Sequence, residues 1–182
     1  MIYMFLANGF EEVEALCPLD VMRRAGLDVR TVGIGGTAIT GAHGITVHAD
    51  MGEEDWAATV AENPIDAVIL PGGMPGSTNL DRSVTVSDAL KMADEQSAVI
   101  AAICAAPFIL GKRGLLRGRR ATCYPGFEEY LEGAAEIGGK VIRDGNIITA
   151  TGMGVALEFG LELVCVLVSP ERAATIRAAV RA

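Results

Sequence analysis

The stretch Ala98-Val-Ile-Ala-Ala-Ile-Cys-Ala-Ala-Pro-Phe-Ile-Leu-Gly111 decides how this chain folds. Its first half, Ala98 to Ile103, is a short apolar run with β-branched residues, the pattern of a strand buried on both faces. Its second half, Ala105 to about Arg113, reads as a helix that tolerates Pro107 in its first turn. Cys104 therefore falls at a strand-to-helix junction. Its neighbours two positions away, Ala102 and Ala106, are both small. A sharp turn that presents one side chain needs small flanking residues, so the pattern is that of a nucleophile elbow. A thiol placed there faces helix N–H groups and the positive end of a dipole, which predicts a thiol pKa below its ordinary value of about 8.5. The alternative is a small buried hydrophobe, the usual state of a free cysteine.

Outward from this junction, strands and helices alternate. Ile2–Ala7 reads as a strand, Phe10 to about Ala25 as a helix ended by Gly26, and Val29–Ile34 as a strand. Ile45–Ala49 is a more polar strand, at an edge or in a small hairpin. Glu53–Glu62 is a helix with acids in its first turn. Ala67–Leu70 is a strand that runs into Pro71-Gly72-Gly73, and Ser83–Gln96 is a helix. Arg120–Cys123 is a short strand and Phe127–Leu131 a short helix. Val141–Ile148 is a hairpin around Asp144-Gly145. Val155–Val168 is an apolar helix, and Ser169-Pro170 caps a last helix to about Val180. Repeated β–α alternation predicts a flavodoxin-like α/β sandwich: a mostly parallel sheet with helices on both faces, in one domain spanning residues 1–182. Sites in such sheets form at the carboxyl ends of the strands, so the turns after Ala7, Leu70 and Ile103 converge.

Bulk properties narrow the function. The 182 residues are 51% hydrophobic and 21% charged, with a net charge of −8, which is a globular composition. No stripe of Lys and Arg appears, so nucleic-acid binding is disfavoured. No signal peptide or membrane-length apolar segment is visible. The four cysteines show no CxxC spacing, which argues for free thiols in a reducing cytoplasm. Only two histidines are present, neither at ligand spacing to a cysteine, so no metal site is expected.

Three segments gather around Cys104. In Asn8-Gly9-Phe10-Glu11-Glu12-Val13-Glu14, the acids Glu11 and Glu12 suit a helix N-terminus. Glu14 is different, because Phe10, Cys17 and Val21 place it on a mostly apolar stripe. A carboxyl there is buried or half-buried and needs a partner, and burial makes it hold its proton more tightly; the alternative is a snorkelling or water-bound side chain. Pro18 removes the N–H that would bond the Glu14 carbonyl, predicting a bent or loosened helix. In Leu70-Pro71-Gly72-Gly73-Met74-Pro75-Gly76, the glycines let the backbone approach a ligand closely. The N–H groups of Gly72 and Gly73, with that of Ala105, form a candidate oxyanion hole; the alternative is a plain tight connection. No Walker-type lysine accompanies these glycines, which argues against a nucleotide P-loop.

NGFEEVE near the start, LPGGMPG in the middle, AAICAAP at the elbow and TGMGVALEF near the end together resemble the ThiJ/PfpI superfamily. More narrowly, they resemble its branch of the Parkinsonism-associated protein and bacterial YajL. The resemblance implies a flavodoxin-like fold, usually homodimeric, with the reactive cysteine at Cys104, its acid at Glu14 and backbone donors at Gly72, Gly73 and Ala105. Where many relatives carry a His, this chain has Tyr124, a poor base at neutral pH with a pKa of about 10. Where several relatives carry Arg, Pro and Thr, it has Thr151, Met153 and Val155. Ala105 follows the cysteine where the protease-like branch has His, and His43 and His48 lie in an earlier loop and strand. Proteolysis and glutamine amidotransfer are disfavoured on that count. The resemblance implies a cofactor-free glyoxalase or deglycase acting on reactive dicarbonyls or their early adducts, with Tyr124 as a possible auxiliary. The rival reading is a redox sensor or stress chaperone built on an oxidisable Cys104. Thiazole monophosphate biosynthesis, an older family label, comes third.

Overall fold

The computed structural model describes residues 1–182. The chain runs β1 (Ile2–Leu6), α1 (Glu12–Arg24), β2 (Val29–Gly33), β3 (Ala38–Thr40), β4 (Thr46–His48), β5 (Met51–Gly52), α2 (Glu53–Glu62) and β6 (Ala67–Leu70). It continues through α3 (Gly76–Arg82), α4 (Val84–Glu95), β7 (Val99–Ile103), α5 (Pro107–Lys112), β8 (Arg120–Ala121) and β9 (Glu136–Ile137). It closes with β10 (Val141–Asp144), β11 (Ile147–Ala150), α6 (Ala156–Leu167) and α7 (Pro170–Ala179). Short 3-10 turns cover Glu128–Tyr130 and Met153–Val155.

Seven strands form the central sheet in the order β10-β11-β7-β6-β1-β2-β5. All neighbours are parallel except β10 and β11, the expected hairpin. Strands buried on both faces cannot alternate apolar with polar, which is why β1, β6 and β7 are continuous apolar runs. Their side chains still alternate between two cores. Tyr3, Phe5, Ile100 and Ala102 pack with α2, α3, α4 and α5 on one face. Ile2, Met4, Leu6, Ala101 and Ile103 pack with α1, α6 and α7 on the other. No helix is long and apolar enough to cross a membrane.

The polar strand expected at Ile45–Ala49 is β4, in an antiparallel ribbon with β3 outside the main sheet. The short helix expected at Phe127–Leu131 is the 3-10 turn at Glu128–Tyr130. Pro18 does not break α1, which runs uninterrupted through it. There, α1 presses against α6 at Gly160, where a Cβ would lie 2.8 Å from Pro18 Cα. The missing side chain on α6 lets the two helices meet backbone to backbone.

The strand order reverses beside β1, with β2 on one flank and β6 on the other. A crevice opens at such a switch point, outside the carboxyl ends of the strands. The register Leu70↔Ala102 sets the end of β6 beside that of β7. The loop leaving β6 interlocks with the one leaving β1. Glu11 N–H donates to Gly72 O at 2.9 Å, and Gly76 N–H donates to Gly9 O at 3.1 Å.

Candidate active site

Cys104 leaves β7 with φ +65, one of three non-glycine residues in the left-handed region. An L-residue adopts that conformation at a cost of roughly 1–3 kcal/mol and holds it only where surrounding structure enforces it. Two bonds do so here. Cys104 N–H donates to Ala150 O at 2.8 Å, and Tyr124 N–H donates to Cys104 O at 2.8 Å. The turn is thus an elbow pinned from both sides by backbone. Ala102, Ala105 and Ala106 are buried, so larger side chains there have no room.

Glu14 is only 1% exposed. Its N–H donates to Glu11 Oε2 at 2.7 Å, which caps α1, and its own Oε2 accepts from Gly72 N–H at 3.1 Å. Its carboxyl faces the Cys104 thiol, and the Met153 amide approaches from the far side. Burial pushes the Glu14 pKa up to about 7, against the relief given by these donors. The glycine at 72 is required by this approach. A Cβ there would lie 2.3 Å from Glu14 Oε2 and 2.5 Å from Cys104 Cβ.

The structure corrects two expectations and one assignment. Gly72 was expected to help form an oxyanion hole, but its N–H is taken by Glu14. The amides that face the Cys104 sulfur are those of Gly73 and Ala105. Gly73 achieves this at φ +91, packed so tightly that a Cβ would lie 2.3 Å from Glu11 N. The thiol was expected to lie below the ordinary range. Burial, and then the charge of Glu14, push it up to about 12, against those two amides. The helix that was to lower it starts only at Pro107 and has six residues, so little dipole faces the sulfur. The Glu14–Cys104 pair must therefore be read as one titrating unit that holds a shared proton between these two limits.

The third difference concerns Glu12, expected to be a simple complement to the α1 dipole. It is 4% exposed and anchors the β3–β4 loop. Its Oε1 accepts from His43 N–H at 2.8 Å, and its Oε2 lies 2.8 Å from His43 Nδ1. His43 is thereby engaged away from Cys104, its pKa raised by the Glu12 bond. Glu11, Glu12 and His43 bring their ligand atoms within 4.8 Å of one another, but each acid is already bonded within the chain. Sequence reasoning missed this arrangement, because a buried acid at a helix start reads like an exposed one.

Tyr124 is half exposed, and its ring borders Gly152 at the mouth of the site. The sequence-derived residues Cys104, Glu14, Gly73 and Ala105 thus meet at one point, with Gly72 behind Glu14 and Tyr124 beside the opening. The arrangement suits a sulfur nucleophile, an adjacent proton carrier with a pKa near neutrality, and two donors for a developing negative charge.

The DJ-1/PfpI family profile matches residues 1–165. The protein dj-1beta of Drosophila melanogaster is 37% identical over 172 residues, covering 93% of this chain and 90% of that protein. A protein of Pyrococcus abyssi named as a deglycase is 35% identical over 152 residues, covering 82% of this chain and 88% of that protein. The solved structure of oxidized DJ-1 from Toxoplasma gondii superposes with a TM-score of 0.91 at 33% identity, covering 98% of this chain and 96% of that one. An interlocked elbow, acid and glycine loop on a flavodoxin-like sheet, matched over nearly the whole chain, establish that this chain belongs to the DJ-1/PfpI family.

Proposed function

We propose that the chain is a cofactor-free, cysteine-dependent enzyme acting on reactive dicarbonyls or their early adducts. The observation that supports this most directly is a buried carboxyl with a pKa near 7 against an elbow thiol that two amides also face. Transfer of the thiol proton to Glu14 leaves a thiolate beside a neutral acid. The thiolate attacks the aldehyde carbon of a dicarbonyl such as methylglyoxal, forming a C–S bond. The carbonyl π pair moves to oxygen, held by the Gly73 and Ala105 amides, and Glu14 returns its proton there. Glu14, now ionised, removes the C1 hydrogen as a proton to give an enediolate with its charge on the C2 oxygen, and delivers that proton to C2. The C1 hydroxyl proton passes to the C2 oxygen, leaving a lactoyl thioester. Water cleaves the thioester to lactate and regenerates the thiol. The sum is methylglyoxal plus water giving lactic acid, with no external oxidant. Lactate formation from methylglyoxal without glutathione tests this reading. If the chain forms no lactate, the enzyme reading fails.

A second reading has its own support. The same amides and acid would hold an oxidised Cys104 sulfur, and the Toxoplasma relative is described as oxidized. A thiol that takes up peroxide without ever turning over a dicarbonyl marks a sensor rather than an enzyme. A reducing cytoplasm suits either role, because all four cysteines are free.

Tyr124 is assigned a minor part. Replacing it by Phe keeps the N–H bond to Cys104 O and removes one hydroxyl, a loss of about 1 kcal/mol at most. Turnover therefore falls by less than about tenfold. A variant without measurable turnover would give Tyr124 the proton-transfer role assigned here to Glu14.

A homodimer is also proposed. Val13, Ile45 and Met153 are 43%, 55% and 54% exposed. Val13 lies between Glu12 and Glu14 on α1, the Ile45 N–H bonds Glu12, and the Met153 amide faces Glu14. Large apolar side chains left exposed on segments around the site suit a second copy. Light scattering is expected to give twice the 19.0 kDa chain mass. A monomer at micromolar concentration overturns this.

A further inference from the structure

A groove of about 350 Å³ lies beside the elbow, and the mechanism above does not use it. Met74, Thr78, Phe108, Lys112, Phe127 and Tyr130 line it. Three of these are aromatic and pack against one another. Phe108 and Phe127 have centroids 6.4 Å apart, Phe108 and Tyr130 6.5 Å, and Phe127 and Tyr130 6.0 Å. Their planes are tilted or edge-to-face, arrangements that a further ring extends at little cost. Met74, half exposed, contributes a thioether, which also favours aromatic neighbours. Lys112 Nζ sits 5.0 Å from the Phe108 centroid and 2.8 Å from Asp81 Oδ2, so its charge is held at the groove wall.

The groove is built from the segments that hold the thiol. Met74 follows Gly73, whose amide faces the sulfur. Phe108 lies four residues past Cys104, in the first turn of α5. Phe127 N–H donates to Tyr124 O at 3.1 Å, and Tyr124 N–H donates to Cys104 O. A cavity of about 150 Å³ already accommodates benzene, so this volume has room for a ring and the atoms that link it to a carbonyl.

We infer that this groove is a side-chain subsite of the reaction centre and takes an aromatic substituent on the dicarbonyl. The inference rests on the carbonyl reading above. It makes the chain selective for aryl-substituted dicarbonyls over small alkyl ones, because ring burial strengthens binding without touching the proton steps.

Two measurements test it. The first is kcat/KM for phenylglyoxal relative to methylglyoxal. The expected ratio in the parent is at least about tenfold, carried mainly by KM, with a fall of at least about fivefold in Phe127→Ala. Thr78→Trp, which fills the groove from α3, lowers the ratio by a second route if Phe127→Ala fails to fold. The second is binding of acetophenone, which has the ring but no aldehyde, by ligand-observed NMR. It is expected to bind the parent and Cys104→Ser alike, and Phe127→Ala more weakly. Methylglyoxal turnover with a ratio near one, or a ratio unmoved by both variants, overturns the subsite. Acetophenone binding without turnover of either aldehyde overturns the enzyme reading and leaves the groove as an aromatic site. Absence of acetophenone binding overturns the groove whatever the turnover.

Discussion

Replacing Cys104 by Ser is expected to lower methylglyoxal turnover by at least about a thousandfold with the fold intact. Ser is close in size, and the strained φ of +65 is enforced by backbone bonds to Ala150 and Tyr124 that the change leaves in place. The loss is chemical. A serine hydroxyl is a far weaker nucleophile, and a neutral-range acid such as Glu14 does not ionise it. Neither Cys17 nor Cys123 has the Glu14 carboxyl and the paired amides that face the Cys104 sulfur. Lactate formation by the purified variant, with circular dichroism as a check of fold, measures this. Activity within tenfold of the parent would remove Cys104 as the nucleophile.

Glu14→Gln separates chemistry from stability, and the two move in opposite directions. Turnover is expected to fall by at least about a hundredfold, since an amide cannot carry the proton between carbon and oxygen. In the parent, turnover rises with pH through about 7, where the Glu14–Cys104 pair loses its first proton and gains its reactive form. That step disappears in the variant. Stability shows the reverse. The folded chain holds the Glu14 proton up to about pH 7, against an ordinary value of 4.5. Between those values the folded state binds more protons than the unfolded one, so stability is complete below about pH 4.5 and is lost as pH rises through 7. The full loss is about 3 kcal/mol, and Gln escapes it. The variant is therefore more stable than the parent by about 1–3 kcal/mol at pH 8, while near pH 4.5 the difference closes. Urea unfolding of both proteins at the two pH values measures this. A variant less stable than the parent at pH 8 would mean that Glu14 is comfortably ionised in its site and does not act as a neutral-range acid.

Much of this architecture is written in local patterns. Continuous apolar runs at Ile2–Leu6, Ala67–Leu70 and Val99–Ile103 mark strands covered on both faces, and their alternation with helices is enough for the parallel sheet. The missed elements are those with little pattern to read. Helix α3, Gly-Ser-Thr-Asn-Leu-Asp-Arg, opens with poor helix formers and is too short to show a period. It forms because Gly76 and Ser77 dock their N–H groups on Gly9 and Gly73, residues distant in sequence or held in an interlocked loop. The two-residue strands β5 and β9 likewise owe their existence to partners.

The site divides along the same line. By itself, the sequence determined the strand-to-helix junction at Cys104, the small residues around it, the glycines after β6 and the apolar stripe bearing Glu14. Each follows from the steric or solvation needs of a few neighbouring positions. Only the tertiary structure decided which amide serves which group, that Glu12 anchors the His43 loop, and that the thiol is pushed up rather than down. Local reading supplied the dipole that lowers a thiol pKa. Burial and the charge of Glu14 act through space across three chain segments, and at a largely buried site they outweigh the short helix.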